Sequence, residues 1–169
     1  IHADNRSGRD IPALDAALTG DQERVWYAVA AGGVGQVVNG IAGATYTAER
    51  DGLVANDVTA IAIAGAEVFF GTPAGVSRFA NNLFATVNAG LTSLAVDALA
   101  VAPDGALLAA GPDGVFAWDA NGETWAPLGS PGWRVKGLDW LGGTLVVLGT
   151  RFGQARLATW DGDAFVEVE

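Results

Sequence analysis

The chain has 169 residues, a formal net charge of −10 and no Cys; half of its residues are hydrophobic and 17% are charged. That balance excludes a disordered chain, disulfide or thiolate chemistry, and the basic footprint that nucleic acid needs or that anionic membrane surfaces attract, Lys136 being the only lysine. No apolar run reaches the ~18 residues of a membrane span, since the longest, around Leu94–Ala102, is broken by Asp97.

In chain order, the segment Ile1–Pro12 is polar for most of its length. His2 and Asp4 within it read as a terminal contact, because one His without partners is no metal site. A start at Ile1 rather than Met fits a cleaved signal peptide or excision from a longer polypeptide, and with it an extracellular or periplasmic location. Ile11–Leu18 reads as a short helix or as the innermost strand of a first repeat. That weak first copy runs from about Leu14 to Glu49. A second copy, Val58–Val87, and a third, Ala98–Leu128, line up with each other: Gly65 with Gly105, Gly71 with Gly111, Gly75-Val76 with Gly114-Val115, and Phe84 with Trp125. A fourth, Gly137–Val168, repeats Trp118-Asp119 as Trp160-Asp161. In the first copy, Gly33-Val34 matches Gly75-Val76 and Tyr46 matches Phe84.

The third copy contains four short apolar runs: Leu99–Ala102, Ala106–Ala110, Val115–Trp118 and Thr124–Leu128. Their separators, such as Pro103-Asp104-Gly105 and Ala120-Asn121-Gly122, supply the positive φ angles of hairpin turns. Helices of ten or more residues do not fit between such closely spaced breakers. Four antiparallel strands in every ~40 residues is the pattern of a propeller blade. The reading is an all-β, β-propeller-like single domain over 1–169, with about four blades of four antiparallel strands at 14–49, 58–87, 98–128 and 135–168.

The segment NDVTAIAIAGAEVFFGTPAGVSRF (Asn56–Phe79) resembles the repeats of two-component-regulator propellers, with Gly71, Thr72, Gly75, Val76, Ser77 and Arg78 in place and Phe69-Phe70 for the aromatic pair. WDANGETW (Trp118–Trp125) resembles a degenerate Asp-box of sialidase-like propellers: Gly122, Thr124 and Trp125 fit, whereas Trp118 and Ala120 stand where the Ser and Asp belong. ARLATWDGDAF is similar to the W-D-G repeats of bacterial surface propellers. These resemblances imply the fold; propellers carry many unrelated activities.

Candidate sites follow from residue type. Trp118, Trp125, Trp160, Phe79, Phe84 and Phe165 recur at equivalent places, which points to packing between blades, although a carbohydrate platform uses the same side chains. Trp133, in the Gly129–Trp133 connector, and Trp140 are less regular, so an exposed indole at Trp133 is a contact candidate. Asp57, Asp97 and Lys136 precede successive inner strands and form either turn caps or a charged ring at one mouth of a central channel. Asp119, Asn121 and Glu123, and Asp161 with Asp163, offer too few oxygens for calcium and read as turns. No motif selects the carboxylate pair of a glycosidase. Tyr27, Glu23 and Arg24 are too close in sequence to make a sialidase site, and a Ser–His–Asp triad would have to use His2.

The expectation is a non-catalytic protein-interaction or structural module, without cofactor or metal, in a larger assembly. The alternatives are a sialidase-like carbohydrate-active or carbohydrate-binding fragment and a ligand-sensing ectodomain piece. Closure is expected either as a tight four-blade ring without strand exchange or, preferably, as an open array completed by another chain or by missing sequence.

Overall fold

The computed structural model describes residues 14–19 and 22–168, with residues 14–19 and 22 described by their backbone alone. Among the described residues, sixteen strands form four separate antiparallel sheets, each built from four consecutive strands in sequential order. The first sheet contains β1 (Leu14–Thr19), β2 (Gln22–Val29), β3 (Gly33–Val38) and β4 (Ile41–Tyr46). The second contains β5 (Ala60–Ala64), β6 (Glu67–Thr72), β7 (Gly75–Ala80) and β8 (Leu83–Thr86). The third contains β9 (Ala98–Val101), β10 (Leu107–Gly111), β11 (Gly114–Asp119) and β12 (Thr124–Gly129). The fourth contains β13 (Arg134–Leu141), β14 (Thr144–Arg151), β15 (Gln154–Trp160) and β16 (Phe165–Glu167). The single helix among the described residues, α1 (Ala48–Asp51), is one turn long and ends on Gly52 in the left-handed conformation. Of the two readings of Ile11–Leu18, the strand holds for residues 14–18; residues 11–13 lie outside the described residues, as do His2 and Asp4.

Each hairpin stands on the residues that allow it. Asn81 and Asn82 take positive φ in the two-residue turn between β7 and β8, and Asn39-Gly40 does the same between β3 and β4. Asn and Gly tolerate this region at little steric cost.

The sheets stack face to face, and side chains alternate between the two faces of each sheet. Three hydrophobic cores result. Trp26, Ala28 and Val34 of the first sheet meet Ile61, Val68, Phe70 and Phe79 of the second. Ala62, Phe69 and Val76 of the second meet Leu107, Ala109, Phe116 and Trp125. Leu108, Ala110 and Val115 of the third meet Val135, Leu145, Val147 and Ala158. The inner strands β1, β5, β9 and β13 lie side by side in that order. The array is open: the described cores occupy the three junctions between successive sheets, with none between the fourth sheet and the first.

The hairpin registers correct two of the expected equivalences. The second turn of each sheet pairs Val29 with Gly33, Thr72 with Gly75, Gly111 with Gly114 and Arg151 with Gln154. Thr72, not Gly71, is therefore the counterpart of Gly111, and Gly71 and Gly111 face opposite sides of their sheets. Val34 pairs with Tyr46, whereas the carbonyl of Val76 accepts the amide of Val87. Tyr46 thus corresponds to Val87 rather than Phe84. Instead, Tyr46 and Phe84 meet across the first junction, with ring centroids 5.3 Å apart.

Candidate functional site

The rim where chain enters the inner strands gathers the polar residues singled out in the sequence. The amides of Thr59 and Asp97 donate to Gly71 and Ala110, and Arg134 pairs with Thr150, so these three residues occupy one repeated position. Each of the first two reaches the following sheet. Thr59 Oγ1 donates to the carbonyl of Val96 at 2.6 Å. Asp97 accepts a two-pronged hydrogen bond from Arg134, Nε at 2.6 Å and Nη2 at 2.8 Å, and a third from Lys136 Nζ at 3.0 Å. Burial pushes the Asp97 carboxyl up, but the bonds from Arg134 and Lys136 outweigh it and hold the group below the ordinary carboxylate range. The expected row of Asp57, Asp97 and Lys136 is accordingly displaced: Asp97 and Lys136 bond to each other, while Asp57 lies two residues ahead of the repeated position. Asp57 is exposed and lines a shallow depression of about 320 Å³ with Ala31, Ala55, Asn56, Pro73 and Ala74.

The two-component-type motif is occupied by structural work. Asn56 accepts the amide of Gly33 through its carbonyl and that of Ala48 through Oδ1. The fully buried Thr72 donates from Oγ1 to Gly75 and accepts the amide of Ala74. Ser77, also fully buried, accepts the amide of Val54 at 2.7 Å, and Arg78 pairs with Glu123 of the next sheet at 2.8 Å. These bonds pin the connector 47–58 and the β6–β7 hairpin to their neighbours.

The aromatics follow one rule. Phe79–Phe84, Trp118–Trp125 and Trp160–Phe165 form cross-strand pairs with ring centroids 4.9, 5.1 and 4.8 Å apart. Each pair packs into the core shared with the preceding sheet. In the degenerate Asp-box, Trp125 is buried and donates from Nε1 to the carbonyl of Val87 at 2.7 Å, and Thr124 Oγ1 donates to Ala89. Trp133 is not an exposed contact: it is 5% exposed and packed in the third core, which Trp140 also borders. The oxygen clusters sit in turns. Asp119 Oδ1 accepts the amide of Asn121, and Asp161 Oδ1 accepts those of Asp163 and Ala164 at 2.9 Å. The bonds from Ala164 and Asp163 lower the Asp161 pKa. Among the described residues, no three His, Cys, Asp or Glu side chains gather as a metal site would require.

One surface was not singled out in the sequence. Counting back from the second turn of each sheet places Trp26, Phe69, Leu108 and Leu148 at one repeated position, facing the sheet that follows. The first three are 1%, 1% and 4% exposed; Leu148 is 50% exposed. Leu148 lies directly opposite Leu157 in register, and Val166 projects from the same face. Only a position count from the turns would have revealed this, because Leu148 is as hydrophobic as its buried counterparts.

No protein-family model matches the chain. No curated protein matches it in sequence. Among solved structures, it is similar to the extracellular domain of a hybrid two-component system from B. thetaiotaomicron, at 11% identity over 94% of this chain and 24% of that one, with a TM-score of 0.73. It is similar to the extracellular domain of a one-component system from the same organism, at 16% identity over 91% of this chain and 21% of that one, with a TM-score of 0.70. The WD40 β-propeller domain of Doa1 matches at 15% identity over 90% of this chain and 51% of that one, with a TM-score of 0.67. The chain therefore spans about a quarter or less of the two sensor ectodomains. At such identities the likeness concerns fold, and with four sequential antiparallel sheets the fold is that of a β-propeller-repeat protein whose four blades form an unclosed array.

Proposed function

We propose that this chain is a non-catalytic interaction module: four consecutive blades of a larger extracellular or periplasmic propeller assembly that holds a ligand or protein partner. The observation that carries this reading is the half-exposed Leu148 at a position buried in the other three blades. Exposed apolar faces of sheet size mark interfaces. The similarity to extracellular domains of sensor systems supports the compartment and the sensing context, and no described helix is long and apolar enough to cross a membrane. The motif residues that could have formed a site are engaged in ties between blades, which favours an interaction role over a carbohydrate-active one. The test is the mass of the native particle that carries this sequence. A particle well above the 17.2 kDa of the chain is expected; a free species of that mass would overturn the reading.

A further inference from the structure

The three internal junctions share a polarity. The following blade contributes the cross-strand aromatic pair of its outer hairpin, and the preceding blade contributes the face containing Trp26, Phe69 or Leu108. In the first blade, the positions of that aromatic pair are held by Val37 and Ala42, which pair with each other in register. At this one pair the leading face of the first blade differs from the faces that dock inside the array, whereas Val25 stands opposite Val37 as Val68 does opposite Phe79. The trailing face of the fourth blade keeps their anchor position through Leu148 and places Leu157 where theirs carry Gln36, Arg78 or Ala117; with Val166 on the same face, exposure is 50%, 37% and 50% at Leu148, Leu157 and Val166.

A second observation lies on the connector rim. In the second blade, the side chain of Asn88 in the outgoing connector bonds to the β6–β7 turn, accepting from the Val76 amide and donating to the Ala74 carbonyl. In the first blade the connector does the same through the carbonyl of Asn56, which accepts from Gly33. The corresponding β14–β15 turn of the fourth blade carries Phe152, which is 93% exposed, with positive φ and the Arg151 guanidinium over its ring.

We propose that the trailing face of β13–β16 docks one further propeller blade: a four-stranded antiparallel sheet whose outer hairpin presents a cross-strand aromatic pair to Leu148, Leu157 and Val166. The array is extended from the fourth blade outward. A second copy of this chain, whose leading face carries Val37 and Ala42, is not the occupant. This inference rests on the reading of the chain as part of a larger propeller, and names the face and the partner.

The experiment compares the 169-residue chain with a chain in which residues 130–168 are repeated once after residue 168, supplying a fifth blade with its own Trp160–Phe165 pair, the added copy carrying Leu148→Glu and Leu157→Glu so that its own outward face is polar. The expected result is a monomeric parent that binds an exposed-hydrophobe dye, and a five-blade chain that loses most of that binding and melts several degrees higher. The double variant Leu148→Glu, Leu157→Glu should fold in the parent, because both side chains are partly exposed there, and, placed in the fourth blade, should abolish the gain in the five-blade chain. Undiminished dye binding without a rise in melting temperature would overturn the proposal. So would a parent that sediments as a dimer dissociated by the double variant, which would make a second copy the occupant. A native particle of large mass that survives the double variant would overturn this inference and leave the proposed function standing; a native particle of chain mass would overturn that function itself.

Discussion

Trp125 joins two kinds of stabilisation in one side chain. Its ring fills the second core, and its Nε1–H satisfies the carbonyl of Val87, in the connector from the preceding blade. Trp125→Phe should keep most of the packing and lose the bond, at a cost of ~1 kcal/mol. Trp125→Ala should cost ~3–5 kcal/mol. Urea unfolding of both variants separates the two contributions. Ser77 offers a sharper contrast, because removing its hydroxyl leaves the Val54 amide without its acceptor beneath the connector. Ser77→Ala should cost ~1–3 kcal/mol although it deletes a single atom. Asp97 supplies a pH dependence with a definite sign. Its folded pKa lies below the ordinary value, so its contribution is present above ~pH 4 and is lost as pH falls through the depressed folded value. The urea midpoint of the wild type should drop across that acid range. Asp97→Asn should begin lower at neutral pH and lose that part of the acid dependence.

At the scale of the element, turns were legible and registers were not. The expected runs Ala106–Ala110, Val115–Trp118 and Thr124–Leu128 fall on β10, β11 and β12 to within a residue or so, because Asp-Gly and Asn-Gly pairs announce hairpins locally. The equivalence of Gly71 with Gly111 was wrong by one position, and in a strand one position reverses the face. Nothing in the letters around Gly71 signals this; the pairing of Thr72 with Gly75 does. The exposure of Trp133 was left open for a related reason. Its place in a short connector does not decide whether the indole faces solvent, whereas in the fold Gly149 opens the space into which it packs. Connectors are also where a glycine is needed for two reasons. Gly90 has φ +88°, and a Cβ there would collide with the carbonyl oxygen of Trp125. Gly90→Ala should therefore cost more than the ~1 kcal/mol typical of a mismatched left-handed position, measured as a loss in thermal midpoint with far-UV circular dichroism unchanged at low temperature.

For the molecule as a whole, the repeat and the all-β class were readable because the same aromatics and turn residues return in the second, third and fourth copies. The openness of the array was only half readable. The letters left both a closed ring and an open array standing, and the face that remains uncovered emerged only when Leu148 could be compared with Trp26, Phe69 and Leu108 in space. The roles of Asp57, Asp97 and Lys136 were blurred for the same reason. Their spacing in the chain is even, yet in the fold Arg134 takes the repeated position and Lys136 turns back to Asp97.

Sequential strand order within every sheet governs how such a chain reaches and leaves its native state. All twelve strand pairings among the described residues join immediate neighbours in the chain, so none of these hairpins waits for a distant segment to arrive, and the entropy of closing long loops is largely avoided. A nucleus formed in any one hairpin can propagate in both directions through nearest-neighbour contacts, as in a one-dimensional lattice. Damage should travel by the same rule. A lesion in the third sheet, such as Leu108→Asp, would uncouple the fourth sheet from the first two and split the melting transition, which hydrogen exchange resolved by strand can detect. An equally severe lesion in the fourth sheet would merely shorten the cooperative unit from its end.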